Sequence, residues 1–287
     1  MSRTVSRTAR GVVIIPAHDE ESNILRTLEP LRPLMSRGLQ VIVVPNGCKD
    51  RTAELVRSIP GVEVIELSEG SKTAALNAGD QAATAWPRLY LDADIVISTD
   101  AVAELLERLT EPGALAGRPR SRYLTDDCTA LVRAYYRARE RMPELSAHLW
   151  GAGAYALTEA GHARVGRFPD VVADDVYVDS KFDRAEITFG TTGGTAVRCP
   201  RTARALLRTL RRVRRGPAEL AATGVVEASS VQVGGLRVLL TSVRGLGMLA
   251  DAVAYAGFVL LARVQPAQAA GPDRSWERDD TQRVAAA

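Results

Sequence analysis

The chain has 287 residues, which is enough for one large domain or two modest ones. Hydrophobic residues make up 46% and charged residues 25%, as in an ordinary globular protein, and a net charge of +3 excludes the strongly basic signature of a general nucleic-acid-binding protein. Three widely spaced cysteines argue against a disulfide framework and a four-cysteine zinc site, and they suit the reducing cytoplasm.

The first half of the chain alternates short apolar runs with helical patterns. The apolar runs predict four buried strands, at residues 12–15, 41–44, 62–65 and 89–91. The first run is too short for the apolar region of a signal peptide, so we expect none. Segments between the runs predict helices at residues 19–31, 52–59 and 73–85. This alternation predicts an α/β fold with a mostly parallel sheet that helices cover on both faces.

The alternation weakens after residue 111. The sequence then predicts an arginine-rich helix, two strands and a strongly basic helix, at residues 126–142, near Ile187 and Val197, and at residues 201–215. Residues 245–262 are the most hydrophobic stretch, but they contain Asp251 and three glycines and fall short of the roughly twenty apolar residues of a membrane span. We expect a packed helical hairpin or contact with a membrane surface there.

Two aspartates follow the fourth predicted strand, in the sequence Leu91-Asp-Ala-Asp94. In an extended segment residues i and i+2 point the same way, so Asp92 and Asp94 share a face while Ala93 turns inward. In open α/β sheets ligands bind beyond the carboxyl ends of the strands. Two carboxylates there predict a site for a hard divalent cation, Mg²⁺ or Mn²⁺, which takes its other ligands from water and substrate phosphates. The alternatives are that the pair is simply solvated, or that Asp94 is a turn residue.

Polar motifs also follow the other predicted strands of the first half. They are Ile15-Pro-Ala-His-Asp-Glu-Glu21, Val44-Pro-Asn-Gly-Cys-Lys-Asp-Arg-Thr52 and Ser71-Lys-Thr-Ala-Ala-Leu-Asn-Ala-Gly79. All of them should face the same crevice as the Asp92 and Asp94 pair. With these four motifs in this order, residues 11–220 resemble the family 2 glycosyltransferases of the GT-A fold.

The resemblance implies an enzyme that transfers a sugar, with inversion, from a nucleotide-diphosphate sugar to an acceptor hydroxyl. Asp94 would be the direct metal ligand, and Asp92 would contact the ribose or a metal-bound water. Lys72, at the start of a predicted helix, would add positive charge near the phosphates. The other donor-binding positions would be Pro16, His18, Glu20 and Asn46.

Two positions depart from the pattern of that family. Pro45 and Asn46 stand where two aspartates are usual, so Asn46 offers the nucleotide hydrogen bonds but no charge, and the nucleotide is left open. Asp19 replaces the usual asparagine of the opening motif.

A second acidic segment contains Asp174 and Asp175. Inversion requires the acceptor hydroxyl to lose its proton as it attacks, and a positioned carboxylate can accept that proton. The resemblance assigns the general base to Asp175, with Asp174 as the fallback. The alternative is that both aspartates cap a helix. The preceding segment, Trp150-Gly-Ala-Gly153, matches the small-residue acceptor segment of the family.

Arg212 lies in the basic helix predicted at residues 201–215. Processive, membrane-bound members of the family carry Gln-x-x-Arg-Trp near this point, and here only the arginine remains, as Arg212. This favours transfer of a single sugar, with Arg212 helping to hold the leaving diphosphate. The basic face could otherwise be solvated or lie against anionic lipid, and nucleic-acid binding ranks last because interleaved aromatic residues are missing.

The predicted organisation is a GT-A domain at residues 11–220, with a nucleotide-sugar and metal-binding half at 11–110 and an acceptor half at 111–220. A helical extension at residues 221–264 and a disordered tail at 265–287 would follow. We expect a cytoplasmic enzyme, at most peripheral at the inner face of the membrane, with a lipid-linked or small-molecule acceptor. Two alternatives are a sugar-nucleotide nucleotidyltransferase, whose glycine- and arginine-rich first loop is not found after Ile15, and a non-catalytic nucleotide-binding module.

Overall fold

The computed structural model describes residues 11–142, 147–171, 173–222, 239 and 245–264. The predicted tail at residues 265–287 and much of the predicted extension before residue 245 lie outside these ranges. The strands, in chain order, are β1 (Val12–Ala17), β2 (Gln40–Pro45), β3 (Val62–Val64), β4 (Arg88–Leu91), β5 (Val96–Ile97), β6 (Ala116–Arg118), β7 (Ser121–Leu124), β8 (Ala154–Leu157), β9 (Ile187–Phe189) and β10 (Thr195–Arg198). The helices are α1 (Ile24–Leu28), α2 (Arg32–Met35), α3 (Thr52–Arg57), α4 (Lys72–Ala82), α5 (Thr99–Arg108), α6 (Ala130–Glu140), α7 (Glu159–Val165), α8 (Asp174–Asp179), α9 (Ala203–Ala222) and α10 (Leu246–Val264).

The chain divides into two compact units. The first unit consists of the chain up to Arg122 together with Leu149–Asp170 and Lys181–Ala196. The second unit consists of Tyr123–His148, Val171–Ser180 and the chain from Val197 onward.

A seven-stranded sheet in the order β3-β2-β1-β4-β8-β6-β9 forms the centre of the first unit. Strands β3, β2, β1 and β4 are parallel, as are β6 and β9, while β8 runs antiparallel to both of its neighbours. A second sheet has the order β5-β10-β7, with β5 and β10 antiparallel. The predicted α/β fold with a mostly parallel sheet is therefore confirmed, and the antiparallel β8 is an addition to it.

The four predicted strands are β1 to β4, and the residues of β1 and β4 are all buried. Helices α3 and α4 match their predictions within a few residues, and Ile24, Leu28 and Leu31 are buried on helical segments as predicted, but these segments do not form one continuous helix. The backbone of Asp19 has a positive φ of 51°, and the helical chain begins only at Ile24. A 3-10 turn that contains Pro30 then separates α1 from α2, because proline has no N–H to donate to a continuous helix.

Helix α4 packs very closely on β1 because it contains Gly79. A Cβ atom at Gly79 would lie 2.4 Å from Ile14 Cγ2, so only glycine allows this approach. The neighbouring Asn77 fixes the chain that leads out of α7: its Nδ2 donates to Phe168 O at 2.9 Å, and Phe168 N donates to its Oδ1 at 3.0 Å. The motif from Ser71 to Gly79 therefore shapes the first unit as well as opening a helix.

The second unit is helical, and α6, α9 and α10 pack together in it. Their shared core contains Val132, Tyr135, Tyr136, Leu206 and Phe258. The helices predicted at residues 126–142 and 201–215 are confirmed as α6 and α9. The hydrophobic stretch at 245–262 lies in one continuous helix, α10, so the packed hairpin expected there is wrong. Gly247–Val264 could span a membrane by length and composition, which by itself is weak evidence because core helices meet the same test.

Candidate active site

The candidate site of the first unit lies where β1, β2 and β4 end. These strands are parallel neighbours, so the segments that follow them leave the sheet at the same edge. The segments begin at His18, Asn46 and Asp92, and they contain most of the residues predicted to bind the donor and the metal. This edge of an open α/β sheet is where ligands are expected.

The loop after β4 is a turn rather than the extended segment that the sequence predicted: Ile95 N donates to Asp92 O at 3.1 Å, and Ala93 and Asp94 occupy the turn. Ala93 is buried, as predicted, with 5% of its surface exposed, and its carbonyl oxygen accepts a hydrogen bond from Thr27 Oγ1 at 2.7 Å. Asp92 is half-buried, and Asp94 is exposed. The buried alanine thus fixes the loop to the unit, with an aspartate on each side of it.

Neighbouring charges act strongly on this loop. Lys72 Nζ lies 2.8 Å from Asp92 Oδ1. The pKa of Asp94 is raised to about 7 because surrounding protein atoms desolvate its carboxyl group and the charges of Asp92 and Glu20 disfavour a further negative charge, while Lys72 partly opposes the rise. The Asp94 side chain is exposed to solvent, although the protein atoms around it desolvate its carboxyl group. The predicted residues Glu20, Lys72, Asp92 and Asp94 are therefore close enough to interact.

The segments after β1 and β2 are held together by hydrogen bonds. Asp19 Oδ1 accepts from the backbone N–H groups of Lys49, at 2.5 Å, and Asp50, at 3.3 Å. The backbone N–H of Glu20 donates to Thr52 Oγ1 at 2.7 Å. The positive φ of Asp19 aims its carboxylate at this loop, so the aspartate at this position shapes the loop of the predicted nucleotide site.

His18 and Asn46 contact each other at the same edge. His18 Nδ1 donates to Asn46 O at 2.6 Å, which fixes the imidazole ring across the two strand ends. The Asn46 side chain is fully buried, and its Nδ2 donates to the carbonyl oxygens of Ala17, at 2.9 Å, and Val44, at 3.1 Å. Within the described ranges Asn46 Oδ1 has no hydrogen-bond partner. Pro16 is buried in β1. Donor binding by these residues stays a prediction.

Among the residues that the structure describes, Asp19, Cys48 and Asp50 form a group whose ligand atoms could surround a metal ion. The carboxylate oxygens of this group are already used. Asp50 Oδ1 accepts from Thr52 N and Oγ1, at 2.9 and 2.5 Å, and Asp50 Oδ2 accepts from Glu21 N at 3.1 Å. Burial raises the pKa of the Cys48 thiol, which disfavours the thiolate that a metal requires. We interpret this group as one that holds the loop in place through its hydrogen bonds.

A glycine loop before β8 packs against the aspartate loop. The backbone N–H of Asp92 donates to Gly153 O at 2.8 Å. Gly153 has a φ of +62°, and a Cβ atom there would lie 2.4 Å from Ile95 Cγ1 and 3.3 Å from Asp92 Oδ2. Arg118, only 4% exposed, donates from Nη1 to Trp150 O at 3.0 Å. Sequence patterns missed both supporting roles, because only folding brings Arg118 and Gly153 to these partners.

The predicted base and the predicted diphosphate ligand belong to the second unit. Asp174 and Asp175 occupy the first turn of α8, whose N-cap residue Ala173 has no capping side chain. Asp174 is 2% exposed, whereas Asp175 is half-buried and accepts a hydrogen bond from its neighbour Val176 N at 2.9 Å. Arg212 is half-buried in α9. The catalytic assignments of these three residues stay predictions.

This α/β sheet, with an Asp-x-Asp loop and a lysine-led helix at the carboxyl edge of its parallel strands, is that of a GT-A glycosyltransferase. The model of glycosyl transferase family 2 matches residues 12–153, so this part of the chain is a family 2 glycosyltransferase domain. It is therefore a glycosyltransferase, as the sequence predicted.

Solved structures give the same fold. Glucosyl-3-phosphoglycerate synthase from Mycobacterium tuberculosis, in complex with Mn²⁺, UDP and glucosyl-3-phosphoglycerate, is similar with a TM-score of 0.57 and 23% identity, over 79% of this chain and 85% of that chain. Its complex with phosphoglyceric acid is similar with a TM-score of 0.57 and 20% identity over the same shares. S. aureus TarS 1–349 is similar with a TM-score of 0.50 and 15% identity, over 88% of this chain and 91% of that chain. A comparison with curated proteins found no match.

Proposed function

We propose that this glycosyltransferase moves a single sugar from a nucleotide-diphosphate sugar to an acceptor hydroxyl, with inversion at the anomeric carbon and with a divalent cation. The observation that carries the proposal is the charged cluster after β4, in which Lys72 Nζ lies 2.8 Å from Asp92 Oδ1 and Asp92 and Glu20 act on Asp94. The lysine would attract the anionic diphosphate of the donor, and the two aspartates would attract the cation bound to that diphosphate.

The side chains at this edge fit a hard cation. The pKa of Asp94 is raised because the site is desolvated and because Asp92 and Glu20 add negative charge, and a bound cation would relieve that repulsion. Asp94 would bind the cation directly, and Asp92 would bind the ribose or a metal-bound water. When bound, Mg²⁺ or Mn²⁺ supplies Lewis-acid stabilisation of the charge that builds on the departing diphosphate.

The donor nucleotide would lie against the segments after β1 and β2. His18, Glu20 and Asn46 belong to these segments, Pro16 lies near the end of β1, and the hydrogen bonds of Asp19 hold the two segments together. Because the M. tuberculosis synthase is named in complex with Mn²⁺ and UDP-glucose, those are the first ligands to test on this chain. Lys72 would bind the phosphates, and Arg212 would help to hold the leaving diphosphate.

Asp175 would accept the proton of the acceptor hydroxyl. As the acceptor oxygen forms its bond to the anomeric carbon, the bond from that carbon to the diphosphate breaks, and the proton moves to the Asp175 carboxylate. Asp174 is the fallback. The acceptor would be a lipid-linked or small molecule in the cytoplasm, and the absence of a Gln-x-x-Arg-Trp motif around Arg212 supports transfer of one sugar rather than polymer synthesis.

A thermal-shift titration tests the donor and the metal together. UDP, GDP, dTDP and CDP are each added with Mn²⁺ and, separately, with EDTA, because a ligand that binds only the folded state raises its melting temperature. We expect a shift with one nucleotide that requires Mn²⁺ and that Asp94→Asn abolishes. Transfer from the matching nucleotide-sugar, with release of the nucleoside diphosphate, then tests catalysis. Nucleotide binding without transfer or hydrolysis would instead identify a non-catalytic module.

A further inference from the structure

The helix α10 has an apolar face that points to solvent. Of the Gly247–Val264 window only 22% is buried, so this helix is not a core helix of the described unit. Six large apolar side chains are exposed along it: Met248 36%, Leu249 46%, Val253 63%, Leu260 57%, Leu261 55% and Val264 76%. We propose that this outward face of α10 docks on the surface of an anionic lipid bilayer.

The opposite face of α10 is fixed to its own unit. Ala252, Phe258 and Ala262 are buried, and the ring of Tyr255 stacks on Tyr135 of α6 with centroids 5.0 Å apart. Buried and exposed residues alternate along α10 with the periodicity of a helix. One side of α10 therefore packs on its own unit, and the other side carries an apolar stripe that faces solvent.

The position of Asp251 indicates whether α10 spans the bilayer or lies along its surface. It is 4% exposed, and its carboxylate accepts from Arg137 Nη2 at 2.6 Å and from Arg141 Nη1 at 3.0 Å. A membrane-spanning α10 would take Asp251 into hydrocarbon, away from both arginines or together with them, and either choice is costly. The helix therefore lies in the plane of the interface, with only its outward face among the lipids.

Charge favours a lipid surface over a second copy of the chain. Residues 203–214 of α9, which packs beside α10, carry five arginines and no acidic residue, and Arg204, Arg208 and Arg214 are exposed. Arg263 adds an exposed positive charge at the end of α10. Two copies meeting through this region would bring like charges together, whereas anionic headgroups attract basic side chains beside an apolar helix face.

Vesicle sedimentation with the full chain tests the docking surface. The vesicles are phosphatidylcholine alone and phosphatidylcholine mixed with phosphatidylglycerol, with no donor or metal added, so failure here is distinguishable from failure of the proposed reaction. We expect sedimentation with the anionic vesicles, weaker by about tenfold or more for Val253→Glu and for Leu260→Glu. Leu25→Glu, at a residue of α1 that is 41% exposed, is the matched control and should sediment like the wild type.

Further measurements distinguish docking on a lipid surface from a membrane-spanning helix and from a dimer. Arg204→Gln combined with Arg208→Gln should reduce binding to anionic vesicles, and high salt should release the wild-type chain. Thermal melts of every variant verify that it folds. The proposal is overturned if the chain binds neither kind of vesicle, or if Val253→Glu and Leu260→Glu bind as well as the wild type. It is also overturned if salt and alkali do not release the bound chain, which is the behaviour of a membrane-spanning helix. A dimer in light scattering that Val253→Glu dissociates would also overturn it.

Discussion

Lys72 Nζ lies 2.8 Å from Asp92 Oδ1, so the first residue of α4 neutralises part of the charge on the loop after β4. The two side chains are 26% and 37% exposed, and an ion pair of that exposure adds at most about 1 kcal/mol to stability. The pair also acts on the neighbouring carboxyl group, because Lys72 offsets a part of the rise in the pKa of Asp94. Lys72 thus places a positive charge beside both aspartates of the predicted metal site.

Replacement of Lys72 by methionine should weaken binding of the nucleoside diphosphate. The ammonium group lies beside the Asp92 loop, where it would attract the anionic phosphates, and methionine keeps its length but not its charge. We expect the affinity for UDP in the presence of Mn²⁺ to fall on the order of tenfold, while Mn²⁺ alone binds at least as well because Lys72 repels a cation. Calorimetric titration measures both affinities, and Lys72→Arg, which keeps the charge, is the control. Unchanged nucleotide affinity in Lys72→Met would separate Lys72 from the phosphates.

Asp94→Asn should abolish turnover and yet stabilise the metal-free protein in alkali. The folded-state pKa of Asp94 is about 7, above its ordinary value of 3.8, so between these two values the folded state holds a proton that the unfolded state has lost. Stability of the metal-free wild type therefore falls as pH rises through this window. Asparagine has no proton to lose. Melting temperatures in EDTA at about pH 5 and about pH 8 should show a larger gain for the variant at the higher pH, because the loss in the wild type is only partly developed at the lower pH.

The apolar runs of β1, β2 and β4 made the parallel sheet and its ligand edge predictable. Each run is continuous because helices cover both faces, and each is followed by a polar motif that proved to leave the same edge. Strand β8 was not predicted because Gly151 and Gly153, which both have positive φ, give the segment before it the composition of a loop.

Long-range pairing explains the rest of what sequence patterns could not show. Asn46 looks like a free polar residue in a nucleotide loop, but its amide is buried and holds the ends of β1 and β2. Asp251 looks like an interruption in an apolar stretch, whereas it pairs with arginines more than a hundred residues earlier. Periodicity reports which face of an element is apolar, and it carries no information about which distant charge will meet that face.

Gly153→Ala should damage both stability and activity. The added Cβ would lie 2.4 Å from Ile95 Cγ1 beside the Asp92 loop, and the φ of +62° strains any L side chain. We expect a loss of about 2–4 kcal/mol together with reduced Mn²⁺ affinity. Gly38→Ala is the control, because Gly38 has a φ of +98° and an added Cβ there would meet nothing within 4 Å. If the two variants lose the same stability and Gly153→Ala keeps its affinity, the loop contact has no role in the site.

Asp251→Ala should unfold the second unit more easily. The substitution leaves Arg137 and Arg141 without the carboxylate that both contact, and because the Arg137 side chain is 55% exposed the loss should be about 1–3 kcal/mol, below that of a fully buried pair. The pKa of Asp251 is lowered mainly by its hydrogen bond to Arg137, so this stabilisation is present above about pH 4 and is lost in stronger acid. Chemical denaturation should therefore show the variant and wild type converging as pH falls. Asp127→Ala, which removes an ion pair 80% exposed on the aspartate side, should change almost nothing.

Asp175→Asn and Asp174→Asn together identify the general base. The two substitutions keep side-chain shape and remove the charge, at adjacent positions of α8. Loss of the base lowers kcat by about 10² to 10⁴ and leaves donor binding intact, so Asp175→Asn should retain the metal-dependent nucleotide shift while transfer collapses. Asp174 is only 2% exposed, so Asp174→Asn should lower the melting temperature more than Asp175→Asn does. If Asp174→Asn instead keeps its stability and loses transfer, the base is Asp174; full transfer by both variants would remove the proton-acceptor role from this helix.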